Sequence, residues 1–315
     1  MIELALTAAG SQRIRFAISP LEEAVGAVQT LLGLRGHPVH LPWLSGAPSL
    51  GELDVPELTA VLSARHYTTE FLSPPPESPE TTVEAQLSAV RATPSEQVAL
   101  ELAMVDADLG GLPHDPAVAR DLLADQLEAV WHALLARDWP ALRGLLAADI
   151  AHRTRLLGES GAARVLDSLH PNVRLAGTSV LVDVRSRARL EIDARGLLLV
   201  PAAFAWPSVG VVTVPPWQTT LLYPARGIAS LWAPPLAASE ALAGVVGRTR
   251  ARLLTMLDRP AATTDLAGQL QLAPATVSAN LTALHAAGLL ACSRNRHRVL
   301  YFRTTLGDAL LTGKL

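Results

Sequence analysis

The chain has 315 residues, of which 50% are hydrophobic, and a formal net charge of -3. This length is enough to bury two hydrophobic cores, so we expect two domains. A single cysteine excludes an intramolecular disulfide framework and fits a reducing compartment. Because no basic start with an uninterrupted apolar run is visible, we predict no secretory signal and a cytoplasmic protein.

Helices are expected to dominate the chain up to about residue 170. A strand is predicted over residues 13–18 and a helix over 21–34, where the cap, proline and acid order at 19–22 is that of a helix start. The proline-rich residues 73–81 indicate an exposed loop. Apolar residues at helical spacing predict three further helices, over residues 117–136, 139–157 and 161–169.

A mostly antiparallel sheet is expected over residues 173–224. Two of its strands are predicted at 179–184 and 188–192, joined by a turn. Residues 196–225 carry no charged side chain and could span a bilayer by length, but five prolines would break such a helix, so no membrane segment is expected. The prolines instead bound three short predicted strands, over residues 197–200, 209–214 and 219–223.

An aromatic cluster in the same region is a candidate ligand pocket. Trp206, Trp217 and Tyr223 fall close together in a chain that is otherwise poor in aromatic residues. An apolar wall with a few hydrogen-bonding groups suits a small organic molecule better than an ion. The same side chains could instead fill the core between sheet and helices, which is their commoner use. The sequence leaves both interpretations open.

The last quarter of the chain has the layout of a winged helix-turn-helix. A long amphipathic helix is expected over residues 242–257, followed by a helix with Leu266 and Leu270, a turn at 271–273 and a second helix that begins at Pro274. In that second helix, a buried stripe is predicted at Val277, Leu281 and Leu284. The stripe turns four polar candidates for DNA contact outward, which are Thr276, Ser278, Asn280 and Thr282. Among them, Asn280 is the best candidate for paired hydrogen bonds to adenine.

A basic hairpin follows this second helix. Strands are predicted at 291–293 and 299–303, and the tip between them carries Arg294, Arg296 and Arg298. Such a hairpin directly after a helix-turn-helix predicts contacts with phosphates. The charge distribution agrees, because residues 241–315 hold nine basic and three acidic residues, a net +6, which leaves -9 for residues 1–240 of a chain with charge -3.

Three strings carry a family resemblance: TVSANLTAL at 276–284, AGL at 287–289 and RVLY at 298–301. They resemble the ArsR-type winged-helix repressors. This resemblance implies a dimer that sets paired recognition helices into successive major grooves, and an effector that shifts its affinity for DNA. The front region, with RIRF, FLSPPP and PWQ, resembles a subgroup of such regulators that has a long N-terminal domain of unknown ligand.

The sequence supports neither metal binding nor catalysis. Arsenic sensors of that family carry paired cysteines where this chain has residues 264–267, and Cys292 lies on the wing strand, so classical metal sensing is not expected. His37 and His40 are interpreted as loop histidines. No nucleophile elbow, phosphate-binding loop or dinucleotide fingerprint is found, so we expect no catalytic residues and no cofactor.

We therefore expect an α+β protein with an effector-binding or assembly domain at residues 1–235 and a DNA-binding domain at 236–315. Its predicted function is that of a dimeric repressor of transcription that binds double-stranded DNA and responds to a small-molecule effector. Two alternatives stay open. The winged helix could be a module that binds an acidic protein partner, or the N-terminal domain could be an enzyme regulated by DNA binding.

Overall fold

The computed structural model describes residues 1–6, 13–35, 38–232, 240–257, 260–295 and 298–312. His37 lies outside these residues. The fold is of the α+β class, and the chain divides into two compact units, the N-terminal unit Met1–Ile228 and the C-terminal unit Ala229–Leu315. Within the part of the chain described, every helix falls short of the length and hydropathy that crossing a membrane requires.

The first part of the N-terminal unit is helical after two strands. The strands are β1 (Ile2–Leu6) and β2 (Ile14–Phe16). The helices are α1 (Pro20–Leu31), α2 (Leu41–Leu44), α3 (Leu50–Leu53), α4 (Pro56–Leu62), α5 (Val83–Arg91), α6 (Ser95–Leu102), α7 (Pro116–Val130) and α8 (Trp139–Leu169). A π-helical turn, Trp131–Leu135, continues α7, and single 3-10 turns lie at Pro38–His40 and Glu70–Leu72.

Helix α1 begins and ends for local reasons. The Ser19 hydroxyl accepts a hydrogen bond from the backbone N–H of Glu22 at 3.1 Å, and Pro20 occupies the first helical position, as the sequence predicted. The helix is buried along its length. Helix α8 contains a non-helical residue, Gly161, with φ 77° and ψ 174°, so its two segments match the two helices predicted on either side of residue 160.

Six more strands complete two four-stranded sheets. They are β3 (Val173–Ala176), β4 (Ser179–Val182), β5 (Ala188–Ile192), β6 (Leu197–Ala202), β7 (Gly210–Val212) and β8 (Thr220–Pro224). One sheet has the order β3-β4-β1-β5 and the other β2-β6-β8-β7. Both sheets therefore include one strand from the N-terminal end of the chain.

The strands of residues 173–224 belong to two sheets rather than to the one mostly antiparallel sheet expected, and each sheet mixes parallel and antiparallel pairs. The pairs β1·β5, β2·β6 and β6·β8 are parallel. The predicted hairpin of 179–184 with 188–192 does not form, because β1 lies between those strands: Leu4 pairs with Val180 on one side and with Leu190 on the other. Strand β1 was not predicted, and its insertion changes the pairing of both neighbours.

The core of the N-terminal unit joins the last segment of α8 to both sheets. Val165 and Leu166 belong to one buried cluster with Leu4 of β1, Leu199 of β6 and Tyr223 of β8. Burying a side chain of this size contributes roughly 1.5–3 kcal/mol each. Hydrophobic burial thus holds the sheets to the helical part of the unit.

The C-terminal unit has the element order of a winged helix. After α9 (Ile228–Trp232) its elements are α10 (Glu240–Val246), α11 (Arg248–Met256), β9 (Ala261–Ala262), α12 (Thr263–Leu270), α13 (Pro274–Ala286), β10 (Leu290–Asn295), β11 (Arg298–Arg303) and α14 (Thr305–Thr312). The three strands form a sheet in the order β10-β11-β9. Strand β9 and helix α14 were not predicted.

The single helix expected over residues 242–257 is interrupted. Gly247 has φ 87° and ψ 147°, a conformation essentially reserved for glycine, and it separates α10 from α11. Apolar periodicity runs across this residue, so the pattern alone indicated one helix. The glycine was the available signal of a break.

Candidate functional site

Helix α13 is positioned by the turn before it and by the core beneath it. Gln271 adopts the left-handed conformation, φ 55° and ψ 41°, and ends α12. Pro274 then begins α13. The predicted buried stripe is confirmed, since Val277, Leu281 and Leu284 all lie in the core of the C-terminal unit. The opposite side of α13 therefore faces solvent.

The exposed side of α13 has small residues at its centre. At 100° per residue, Ala275, Ala279 and Thr282 lie opposite the buried stripe, and all three are exposed. Thr276 and Ser278 are also exposed and flank this centre on opposite sides. A helix with such short side chains can bring its backbone close to another surface, and it offers few side-chain donors for reading base edges.

Asn280 differs from the other predicted contacts. It is half-buried, its Oδ1 accepts a hydrogen bond from Arg250 Nε at 3.2 Å, and its Nδ2 donates to the backbone oxygen of Thr276 at 2.9 Å. Both ends of the amide are thus occupied within the unit. Paired hydrogen bonds from Asn280 to an adenine, the contact expected from the sequence, would require these two bonds to open.

One arginine of α11 contacts α13. Arg248, Arg250 and Arg252 of α11 are exposed, and Arg250 reaches α13 through Asn280. Arg250 was not among the predicted DNA contacts, because it stands 30 positions before Asn280 on a different helix. Arg303 is excluded as a contact, since its guanidinium donates to Asp308 Oδ1 at 2.6 Å and to the Leu254 oxygen at 2.8 Å.

The wing is an antiparallel hairpin. Arg294 pairs with Val299 and Asn295 with Arg298 in its ladder, so the backbones of Arg294 and Arg298 lie at the end of the hairpin. Arg296 lies outside the described residues. Strand β9 pairs with β11 through Ala262 and Leu300, which anchors the base of the hairpin to the start of α12.

Cys292 has one neighbour of interest. Its Sγ lies 3.8 Å from His285 Nε2, and both side chains are exposed. Four ligands are usual for a structural zinc site. Among the described residues, histidine, cysteine, aspartate and glutamate nowhere form a group of three or more that could hold a metal ion.

The three aromatic residues predicted as a pocket are not equivalent. Tyr223 is fully buried in the core of the N-terminal unit, and its hydroxyl donates to Asp149 Oδ2 at 2.8 Å, so it is a core residue. Trp206 is 36% exposed at the surface. Trp217 is half-buried and lines a large open cleft. Of the three, Trp217 has the position that a ligand pocket requires.

This cleft, the arginine cleft, has a volume of about 1010 Å³. Its lining brings together residues from strand β2, the proline-rich loop and the loop before β8, and includes Arg13, Arg15, Pro75, Arg195, Trp217 and Gln218. The prolines predicted as an exposed loop thus form one of its walls. The arginines were missed as a group because they are far apart in the sequence.

A buried carboxylate holds Trp217 in place. The indole Nε1 donates to Glu101 Oε1 at 2.7 Å. The other oxygen of Glu101 accepts from Tyr67 Oη and from the backbone N–H groups of Glu70 and Phe71. Glu101 is fully buried, and these donors compensate for the loss of its hydration.

Two further glutamates bind loop backbone from within the helical part. Glu70 accepts hydrogen bonds from the N–H groups of Thr213 and Val214, and Glu23 from those of Ala203 and Phe204. Burial raises the pKa of Glu70 to about 7 and that of Glu23 to about 8, although the backbone bonds act in the opposite direction. These carboxyls hold the loops after β6 and β7, which makes their role structural.

Comparison with known proteins gives one partial match. Residues 110–229 match a family described as Family of unknown function (DUF5937). The match includes α7, α8 and the strands from β3 to β8, but neither β1 and β2 nor the winged helix. Searches of curated proteins and of solved structures find no match to this chain.

Proposed function

We propose that this chain is a transcriptional regulator that binds double-stranded DNA through its C-terminal unit. The observation that carries the proposal is the exposed face of α13, which is set by a buried stripe and has Arg250 of α11 beside it and a hairpin after it. These are the parts that a winged helix uses on DNA, with one helix in the major groove and basic residues on the backbone.

In the proposed complex, the centre of the α13 face lies against the bases. Ala275 and Ala279 allow a close approach and an apolar contact with thymine methyl groups, while Thr276, Ser278 and Thr282 supply hydroxyls for base edges or phosphates. Arg250 and the wing arginines Arg294, Arg296 and Arg298 neutralise phosphates. The affinity for DNA then comes mainly from the neutralisation of phosphates, and the sequence specificity comes from a small number of base contacts.

The regulator is proposed to act in the cytoplasm as a homodimer that represses by occluding its site. Two copies of α13 would occupy half-sites about one helical turn apart, which doubles the number of phosphate contacts. The N-terminal unit, with net charge -8 from 17 basic and 25 acidic residues over 1–228, would be repelled by DNA. It is therefore assigned to effector binding or assembly.

A second candidate function is a winged helix that binds an acidic protein partner. The exposed alanines at 275 and 279 favour it, because they add no hydrogen-bonding group to the centre of the face. The two candidates differ in the polyanion that they select. A DNA-binding protein retains duplex fragments of its own genome, whereas a protein module retains none above background.

The test is to bind the purified full-length protein to sheared duplex DNA of its own genome and to sequence what is retained at about 150 mM salt, where nonspecific binding is weak. We expect a small set of fragments that share one motif with twofold symmetry. The matched control replaces Thr276, Ser278 and Thr282 with alanine, which leaves the buried stripe intact. Retention of the same fragments by that variant, or of none by the parent, would contradict the proposal.

A further inference from the structure

The arginine cleft stands out by its charge. Its lining contains Arg13, Arg15 and Arg195 and one acidic residue, Glu77. The unit that surrounds it has the opposite sign, -8 over residues 1–228. Like charges that gather in a concave site raise the local concentration of counterions there. The cleft is therefore a positive site on an acidic unit.

Arg15 is the most buried of the three arginines in the cleft. It is half-buried, and its guanidinium donates to the backbone oxygens of Pro76 and Glu77 and to Gln218 Oε1 at 2.5 Å. All three acceptors are neutral. Among the described residues, no carboxylate lies within ion-pair distance of Arg15, and burial lowers its pKa from the ordinary value, with the charge of Glu77 acting in the opposite direction. A half-buried cation held by neutral acceptors keeps its attraction for an anion.

The other two arginines of the cleft differ in their contacts. Arg195 pairs with Asp193 at 2.7 Å and donates to the backbone oxygens of Pro216 and Trp217, so it fixes the loop that carries Trp217. Arg13 is exposed, and its backbone oxygen receives the N–H of Leu197. No bond from its guanidinium to another described residue is found. Arg13 can thus turn to a bound anion without losing a structural contact.

Trp217 gives the cleft an apolar wall of fixed orientation. Its indole nitrogen is bound by Glu101, and its backbone is bound by Arg195 and by the Val214 oxygen. Pro75 and Pro76 lie among the other lining residues. A ring that is held in advance loses little conformational entropy when a flat molecule stacks on it. The cleft therefore combines a rigid aromatic face with a half-buried cation whose hydrogen-bond acceptors are neutral.

We infer that the arginine cleft binds a small organic anion, an aromatic carboxylate, whose ring stacks on Trp217 and whose carboxylate is bound by Arg15 and Arg13. The volume of about 1010 Å³ is at the upper end of the range for small-molecule sites. Binding itself is independent of DNA. The idea that this anion is the effector rests on the proposed function.

The test uses the full-length protein and isothermal titration calorimetry with four probes. Benzoate and indole-3-acetate are the anions, and benzamide and indole-3-acetamide are their neutral counterparts. We expect each acid to bind at least tenfold more tightly than its amide. Arg15→Gln and Arg13→Gln should each weaken binding of the acids several-fold and leave the amides unchanged. The matched control is Arg137→Gln, since the Arg137 side chain is 95% exposed and outside the cleft.

Stability is checked by thermal unfolding of each variant. Arg15→Gln removes bonds to the proline-rich loop, so if it unfolds, Arg13→Gln decides the outcome alone, because the Arg13 guanidinium has no bond within the described residues to lose. Equal binding of acid and amide, or no binding of either acid at millimolar concentration, would overturn the inference. Tighter binding of inorganic phosphate than of both acids would overturn the assignment to an organic carboxylate.

The regulatory step is measured separately, as fluorescence anisotropy of retained duplex DNA with and without indole-3-acetate. Release or tightening that Arg13→Gln abolishes supports the effector role. If the protein binds the acid in the calorimeter but retains no DNA, the cleft is an anion site and the proposed function is refuted. If the protein retains DNA but binds neither acid, the proposed function stands and the anion site is refuted.

Discussion

Arg250 of α11 donates through Nε to Oδ1 of Asn280 on α13, at 3.2 Å. The best base-reading candidate of the sequence is thereby joined to a cation that the sequence did not single out. The bond also fixes the direction of the Arg250 guanidinium beside the exposed face of α13. In the proposed DNA complex, Asn280 is accordingly better suited to orient a phosphate contact of Arg250 than to read a base.

The first prediction concerns this pair. Arg250→Ala should weaken binding to every duplex about equally and lower the slope of log affinity against log salt by about 0.9, the value for one phosphate contact. Asn280→Ala should have a similar but smaller effect, because it removes the group that orients Arg250. Anisotropy titrations at several salt concentrations measure both. A loss confined to one base position in Asn280→Ala, about 1–3 kcal/mol, would instead show that it reads adenine.

The second prediction concerns the wing. Replacing Arg294, Arg296 and Arg298 with alanine should lower the salt slope by up to about 3 units and weaken specific and nonspecific binding alike. The control removes the same charge from the N-terminal unit by replacing the exposed Arg137, Arg185 and Arg187 with alanine. The control slope should equal that of the parent. Equal salt slopes for the wing variant and the parent would show that the hairpin does not contact DNA.

A third prediction concerns metals. Cys292 and His285 form a pair, and the described residues provide no third ligand of the usual kinds beside them. We expect zinc and arsenite to leave DNA occupancy unchanged in the parent and in Cys292→Ser. Titration of both proteins with either ion measures this. Stoichiometric release from the parent that disappears in the variant would contradict it.

The fourth prediction separates the core from the cleft. Tyr223→Phe removes the donor to Asp149, which is 3% exposed, so the buried carboxylate loses one partner. The cost should be about 1–3 kcal/mol of unfolding free energy, measured in urea. Binding of the acid probes to the arginine cleft should not change. If the variant were as stable as the parent but bound the acid probes differently, Tyr223 would be part of a ligand site.

The fifth prediction is a pH dependence. The pKa of Glu70 is raised from 4.5 to about 7, chiefly by burial, and the charge of Glu101 adds to the effect. The folded state then holds the proton more tightly than the unfolded chain. This contribution to stability is complete below pH 4.5 and is lost as the pH rises through about 7.

Urea unfolding between pH 5 and 8 tests that sign. The parent should lose stability across this window relative to Glu70→Gln, which has no proton to release. At about 1.4 kcal/mol per pKa unit, the relative change is at most about 3 kcal/mol. Glu101 and Tyr67 face Glu70 and remain present in both proteins. A relative change of the opposite sign would contradict the assignment.

The sequence predicted the winged helix well because its signals are local. Pro274 marks the start of α13, Gly288 follows its end with φ 72°, and the buried stripe lies within a single helix. The break at Gly247 was missed since apolar periodicity continues across it. A helical pattern of apolar residues shows which face of a helix is buried. It shows less directly whether the backbone continues without a break.

The N-terminal unit was harder to predict for a physical reason. Strand β1 pairs with partners near residues 180 and 190, and nothing near Ile2 encodes that choice. The arginine cleft is similar, because Arg15 meets Gln218 across 203 positions. Composition identified Trp217 as a candidate. The cations that accompany it come together only when the sheet β2-β6-β8-β7 has formed.

The placement of β1 and β2 also bears on how the chain folds. Each pairs with strands that are synthesised near the end of the N-terminal unit, so neither sheet can close until almost all of that unit has left the ribosome. Loop-closure entropy must be overcome before these contacts form, so a domain with high contact order folds slowly. The winged helix pairs only near neighbours in sequence. It is therefore expected to fold faster than the N-terminal unit.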